Sequence, residues 1–162
     1  MSLTVDRRTT CCFTGHRPEK LSISMGQAKA ELRGEVEKAA EAGYDTFLTG
    51  MARGIDLWAA EMVIEFRETH PGIKLVCILP YAEVSNAWGP RWREVFDRVL
   101  DRADGMEIVS GKYHRGVFHE RNRFMVDHSS RLIAVYNGTP GGACSTVQYA
   151  RKQGLFMRLI PG

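Results

Sequence analysis

The chain has 162 residues, 44% of them hydrophobic and 25% charged, with a formal net charge of +3. That length suits one domain with a buried core, and the balance excludes a disordered chain or a repeat array. The charge is too small to indicate nucleic acid by itself, and no apolar run approaches the roughly 18 residues of a membrane helix, so a cytoplasmic protein with no membrane partner is expected.

Six short runs rich in apolar, β-branched or aromatic residues read as strands, in chain order Thr9 to Thr14, Thr46 to Thr49, Lys74 to Leu79, Met106 to Ser110, Leu132 to Tyr136 and Phe156 to Ile160. Between the first two, Met25, Ala28, Leu32, Val36 and Ala39 keep helical spacing, with Ser24 and Gln27 as a capping box and Gly43 as the stop. Ile55, Ala59, Met62, Val63 and Phe66 repeat the pattern, and His70-Pro71-Gly72 closes it. Further helices are expected from Pro90 to Arg102, from Val117 to about His128 and from Ser145 to Gln153.

Strands alternating with helices require crossover connections, and crossovers give a mainly parallel sheet covered on both faces. The expected fold is therefore α/β, a single Rossmann-like three-layer domain over residues 9–162 with five or six strands. Residues 1–8 are expected to be disordered or foreign to the natural chain. The four cysteines, Cys11, Cys12, Cys77 and Cys144, lack paired CxxC spacing and read as small buried hydrophobes, with no structural metal.

Three glycine-punctuated turns follow apolar runs and lead towards helical patterns, so all three fall at the carboxyl edge of the sheet, where open α/β folds place ligands. In the first, Gly15-His16-Arg17-Pro18, glycine permits a tight exit and Arg17 can fork onto a phosphate or carboxylate. The competing reading is a plain turn with Arg17 on a surface carboxylate and His16 as a hydrogen-bonded structural residue. In the second, Gly50 and Gly54 flank Arg53 directly before a helix, where the dipole favours an anion. Asp56 there either favours the helix start or accepts a ribose hydroxyl. The third contains Gly138, Gly141 and Gly142, followed by the hydroxyls of Ser145 and Thr146. It is the strongest phosphate-binding candidate, although Ser145 and Gln148 also match a capping box that needs no ligand.

Tyr81 and Trp88, in the loop after the third strand, offer faces on which a base can stack. Lys112, His114, Arg115, His119, Arg121 and Arg123 form a basic stretch relieved by Glu120. Neither a GxGxxG nor a GxxxxGK[ST] sequence occurs, no HExxH or metal-spaced cluster is present, and no Ser-His-Asp order can be assigned.

Thr49-Gly50-Met51-Ala52-Arg53-Gly54-Ile55-Asp56 resembles the SGxARGID segment of the DNA-processing protein DprA. Phe118-His119-Glu120-Arg121-Asn122-Arg123 resembles the FPxRNR segment of that family, and Thr146 to Gly154 resembles its TAxxAxxQG helix. With Thr14-Gly15-His16-Arg17-Pro18 and the small size, the chain looks closer still to the YpsA-like proteins, short members of the SLOG superfamily, which also holds the LOG phosphoribohydrolases. The resemblance implies a Rossmann-like fold and a nucleotide or ADP-ribose-like ligand held by the glycine turns, with Arg121 and Asn122 at the same site. Against the LOG pattern PGGxGTxxE, Cys144 replaces a glycine and Gln148 the catalytic glutamate, and an amide cannot act as a general base. The leading expectation is thus binding or sensing of a nucleotide-derived phosphate ligand, with no established cofactor. Hydrolysis of an N-glycosidic bond and DprA-like single-strand nucleic-acid binding are the alternatives, and a homodimer is left open.

Overall fold

In the computed structural model, which describes residues 3–162, six strands alternate with five α-helices. The strands are β1 (Thr10–Gly15), β2 (Thr46–Thr49), β3 (Lys74–Leu79), β4 (Gly105–Ile108), β5 (Arg131–Tyr136) and β6 (Phe156–Pro161). The helices are α1 (Met25–Glu41), α2 (Ile55–Arg67), α3 (Pro90–Arg102), α4 (Val117–Asp127) and α5 (Gly142–Lys152). The expectation for Met1 and Ser2 lies outside the described residues. Asp6 caps a short 3-10 turn at Arg7–Thr9 that leads into β1, and Leu3 packs against the core.

All strand pairs are parallel, in the order β4-β3-β2-β1-β5-β6. Helices α1, α2 and α3 cover one face and α4 with α5 the other, the three-layer arrangement that crossover connections dictate. Side-chain alternation splits the core accordingly. Cys11 and Phe13 point to the α1–α3 face, where Phe13 stacks on Phe47 at 6.0 Å, while Cys12 points to the α4–α5 face with Leu48 and Met125. The four central strands are buried almost throughout, whereas the edge strands β4 and β6 are half exposed. Cys11, Cys12 and Cys77 are free and buried, and burial pushes their thiols up, Cys12 and Cys77 to about 12.

Several boundaries shift from expectation, and two of the shifts have identifiable reasons. Strand β4 ends at Ile108, and the N–H groups of Val109 and Ser110 finish the ladder by donating to Leu79 and Pro80. Helix α5 starts at Gly142 with Gly141 as its cap, so Ser145 and Gln148 sit inside the first turns and form no capping box. Ser24 does cap α1, its hydroxyl accepting the Gln27 N–H at 3.1 Å.

Candidate functional site

Strand order reverses between β1 and β5: β2 to β4 extend to one side and β6 to the other, so the loops leaving β1 and β5 part above the sheet and leave a crevice. These two loops are stitched together by His16 and Asn137. The His16 N–H donates to Val135, and its ring Nε2 receives the Asn137 N–H at 2.8 Å. The Asn137 amide then donates to the Lys20 carbonyl and the Ser22 hydroxyl, both at 3.0 Å. Burial lowers the His16 pKa, favouring the neutral ring that can accept such a bond. His16 is therefore a loop fastener at the cavity wall.

The crevice holds a cavity of about 730 Å³, within the usual range of ligand sites. Arg17, Lys20 and Arg53 stand on one side of it, and Gly142 and Ala143 at the start of α5 on another. The first intrahelical bond of α5 runs from the Ser145 N–H to Gly141, which leaves the N–H groups of Gly142 and Ala143 without a partner among the described residues, at the positive end of the helix dipole. A Cβ at Gly142 would meet nothing within 4 Å, so the backbone is open to an incoming group. Lys20 ties this turn down by donating to the Pro140 carbonyl at 2.7 Å. Arg53 lies 3.6 Å from the exposed Glu19, a pair with little hold on either side chain. Gly15 has a different role, since a Cβ there would overlap Ile55 of α2; close helix packing requires it.

The cavity floor is a buried charge pair. Arg121 is 6% exposed, donates to the Gly50 carbonyl, and bonds the Asn122 side-chain oxygen at 2.8 Å. Asp56, also 6% exposed, occupies the second position of α2 and accepts the Ala52 N–H at 3.3 Å. Gly54 is the helix cap, so Asp56 braces the preceding loop. Burial pushes the Asp56 carboxyl up to about 6, against the pull of the Arg121 guanidinium and the Ala52 N–H. Burial likewise lowers the Arg121 pKa; Asp56 opposes that shift and the neighbouring Arg17 adds to it. The acid facing Arg121 is thus Asp56. Gly50 makes room for this pair: a Cβ there would sit 2.9 Å from Asp56 Oδ2 and 3.0 Å from Arg121 Cδ.

Of the residues singled out from sequence, Gly15, His16, Arg17, Arg53, Asp56, Tyr81, Trp88, Arg121, Asn122 and Gly142 line this one cavity. Gly50 lies behind the charge pair, Gly54 against Pro18, and Gly141 against Lys20 Nζ. Gly138 adopts a φ of +83° in the turn and is not among the lining residues. Ser145 and Thr146 face a smaller groove of about 210 Å³ with His119, Arg123 and Tyr149, which meets the cavity only at Asn122. The Thr146 hydroxyl is turned back onto the Gly142 carbonyl at 2.8 Å. Gln148 is exposed, its amide 3.6 Å from Cys144 Sγ, away from the cavity. The basic stretch is divided as well, with Arg121 inside, His114 3.0 Å from Glu120, and Arg123 over the Tyr149 ring.

Sequence reading missed Lys20, Met51, Phe118 and Ala143, which also line the cavity. Lys20 looks like any surface lysine until the β5 loop folds against it. Met51 carries a φ of +62°, the one non-glycine residue in the left-handed region among the described residues, and nothing in its type signals that strain. Phe118 joins Tyr81 and Tyr113 in an edge-to-face cluster at the cavity mouth, with centroids 5.7 to 6.5 Å apart.

The profile of the YspA SLOG family (YpsA) matches residues 11–155. A UPF0398 protein of Bacillus pumilus (strain SAFR-032) is 28% identical over 138 residues, covering 80% of this chain and 74% of that protein. Another from Bacillus thuringiensis (strain Al Hakam) is 29% identical over 150 residues, covering 87% and 82%. Among solved structures, the DNA processing protein A of Streptococcus pneumoniae superposes with a TM-score of 0.62, and that of Helicobacter pylori, described for its single-stranded DNA binding mode, with 0.64. Each is 16% identical and covers 93% of this chain, which spans only 50% and 65% of their respective lengths. At that identity the likeness is one of fold.

Proposed function

The chain belongs to the YspA SLOG family, and from that premise we propose that the cavity above β1 and β5 binds a nucleotide or nucleotide-derived phosphate ligand. One observation carries the reading: Arg17, Lys20, Arg53 and the buried Arg121 face a single cavity together with the free N–H groups that open α5. Guanidinium groups crowded this closely repel one another, and a phosphate between them relieves the repulsion while accepting charge-assisted bonds. Tyr81, Trp88 and Phe118 supply apolar faces for the rest of the ligand.

The reading is one of binding or sensing. Among the described residues Asp56 is the one buried carboxylate on the cavity wall, and it already accepts the Ala52 N–H beside the Arg121 charge, while Gln148 stands outside. Calorimetric titration of ADP and ADP-ribose into the wild type and Arg17→Ala tests it. Affinity is expected to fall by roughly 1.5 to 3 kcal/mol in the variant, the worth of a charge-assisted phosphate contact. Chromatography of incubated nucleoside monophosphates should recover them intact. Unchanged affinity in Arg17→Ala, or rapid release of free base, sinks the proposal. Tight, salt-steep binding of a thymidine oligonucleotide with no affinity for ADP would transfer it to single-stranded nucleic acid.

A further inference from the structure

A second depression lies between α4 and the edge strand β4, and none of its lining residues belongs to the first cavity. It encloses about 720 Å³, again the size of a small-molecule site. Its charge is opposite to that of the first. Glu107, Glu120 and Asp127 share it with Arg123 and the adjacent His119, and Ile108, Val109 and Phe124 give it apolar walls. A locally acidic groove on a chain of net charge +3 calls for its own explanation.

Glu107 supplies it. Its place in β4 opposite Ile78 sets it on the α4 face of the sheet, and it is only 7% exposed. Among the described residues its carboxylate has no hydrogen-bond or ion-pair partner, although it lines an open groove. The other two acids are engaged, Glu120 3.0 Å from His114 Nε2 and Asp127 accepting the Tyr149 hydroxyl at 2.7 Å. Arg123 is drawn the other way, over the Tyr149 ring at 5.3 Å. Glu107 is nearly buried while its carboxylate opens onto the groove, so a cation from outside can reach it and make a charge-assisted contact.

The shape of the groove selects among cations. No group of three or more His, Cys, Asp or Glu among the described residues is arranged to hold a metal ion. Glu120 and Asp127 instead stand two helical turns apart on α4, a spacing of about 10.5 Å along the axis at roughly 1.5 Å per residue. An extended aliphatic triamine matches that length, and its methylene chain suits the walls of Ile108, Val109 and Phe124. We infer that this groove binds a linear aliphatic polyamine, its charged nitrogens on Glu107, Glu120 and Asp127. The site stands independently of the nucleotide reading.

Spermidine titrated calorimetrically into the full chain, without nucleotide, is the test. One saturable site is expected, weakened about tenfold or more in Glu107→Gln, the loss of a charge-assisted contact. Circular dichroism should show Glu107→Gln folded, since the change removes a charge while keeping the side chain's shape. Binding should be unchanged in Arg17→Ala, tighter in Arg123→Ala, and resistant to magnesium at equal charge concentration. Wild-type affinity in Glu107→Gln, displacement by magnesium, or a tightening in Arg17→Ala as large as that in Arg123→Ala would show a diffuse field and overturn the inference. So would absence of binding together with equal, non-additive losses of stability in Glu107→Gln and Arg123→Ala, because Glu107 would then be paired with Arg123.

Discussion

Glycines show how far identical residues differ in what they do. Gly50 has an ordinary backbone, so its requirement is steric: a side chain there would press on Asp56 and Arg121, both held by their own hydrogen bonds. Gly50→Ala is expected to lose about 1 to 3 kcal/mol, the usual penalty of overpacking, and to weaken ligand binding by moving Arg121. Gly34, within α1, has nothing within 4 Å of the position its Cβ would take. Gly34→Ala should therefore gain about 0.5 to 1 kcal/mol from helix propensity alone. Urea unfolding of the two variants checks both signs. The sequence marks both positions with the same letter, and what separates them is Arg121, distant in the chain and brought under Gly50 only by folding. For the same reason Arg121 could be placed at the crevice from sequence while Asp56 was not legible as the acid that faces it. Nothing in local spacing pairs the second position of α2 with the fifth of α4.

Helix starts were readable where a side chain does the capping and unreadable where the backbone does. Ser24 announces α1 because its hydroxyl accepts the Gln27 N–H. Ser24→Ala should cost about 1 kcal/mol. Ser145 carries the same signature three residues before Gln148, yet α5 has already begun at Gly142 on a glycine cap with a φ of +148°. Ser145→Ala should thus change stability by less than about 0.5 kcal/mol, as an exposed position away from caps and core does. Thermal unfolding of the pair decides this, and a loss at Ser145 equal to that at Ser24 would mean that α5 starts later in solution. The consequence reaches the site. An early start places the free N–H groups of Gly142 and Ala143 at the cavity and turns the hydroxyls of Ser145 and Thr146 away from it.

At the scale of the whole molecule, the alternation of strands and helices was enough to give the layers, and the turns after β1, β2 and β5 were enough to locate the crevice. The strand order that creates the switch point depends on which crossovers pass over which face, and local patterns carry little of that. The same topology buries two titratable groups beside the crevice, with opposite consequences for stability against pH. Asp56 is raised from 3.8 to about 6, so the folded protein holds a proton that the unfolded chain has released. Its contribution is fully present below about pH 4 and is lost as pH rises through about 6, on the order of 3 kcal/mol at 1.36 kcal/mol per unit. His16 lies below its ordinary 6.5, so its contribution is present in the neutral form and is lost as pH falls through that value. Urea unfolding of wild type, Asp56→Asn and His16→Gln between about pH 4.5 and 7.5 separates the two groups. Wild type should gain on Asp56→Asn as pH falls, because the asparagine has no proton to take up. Over the same range His16→Gln should gain on wild type, because the glutamine has no charged form to disfavour. A stability difference between wild type and Asp56→Asn that stays constant across the range would mean that Asp56 remains ionised, with Arg121 outweighing its burial.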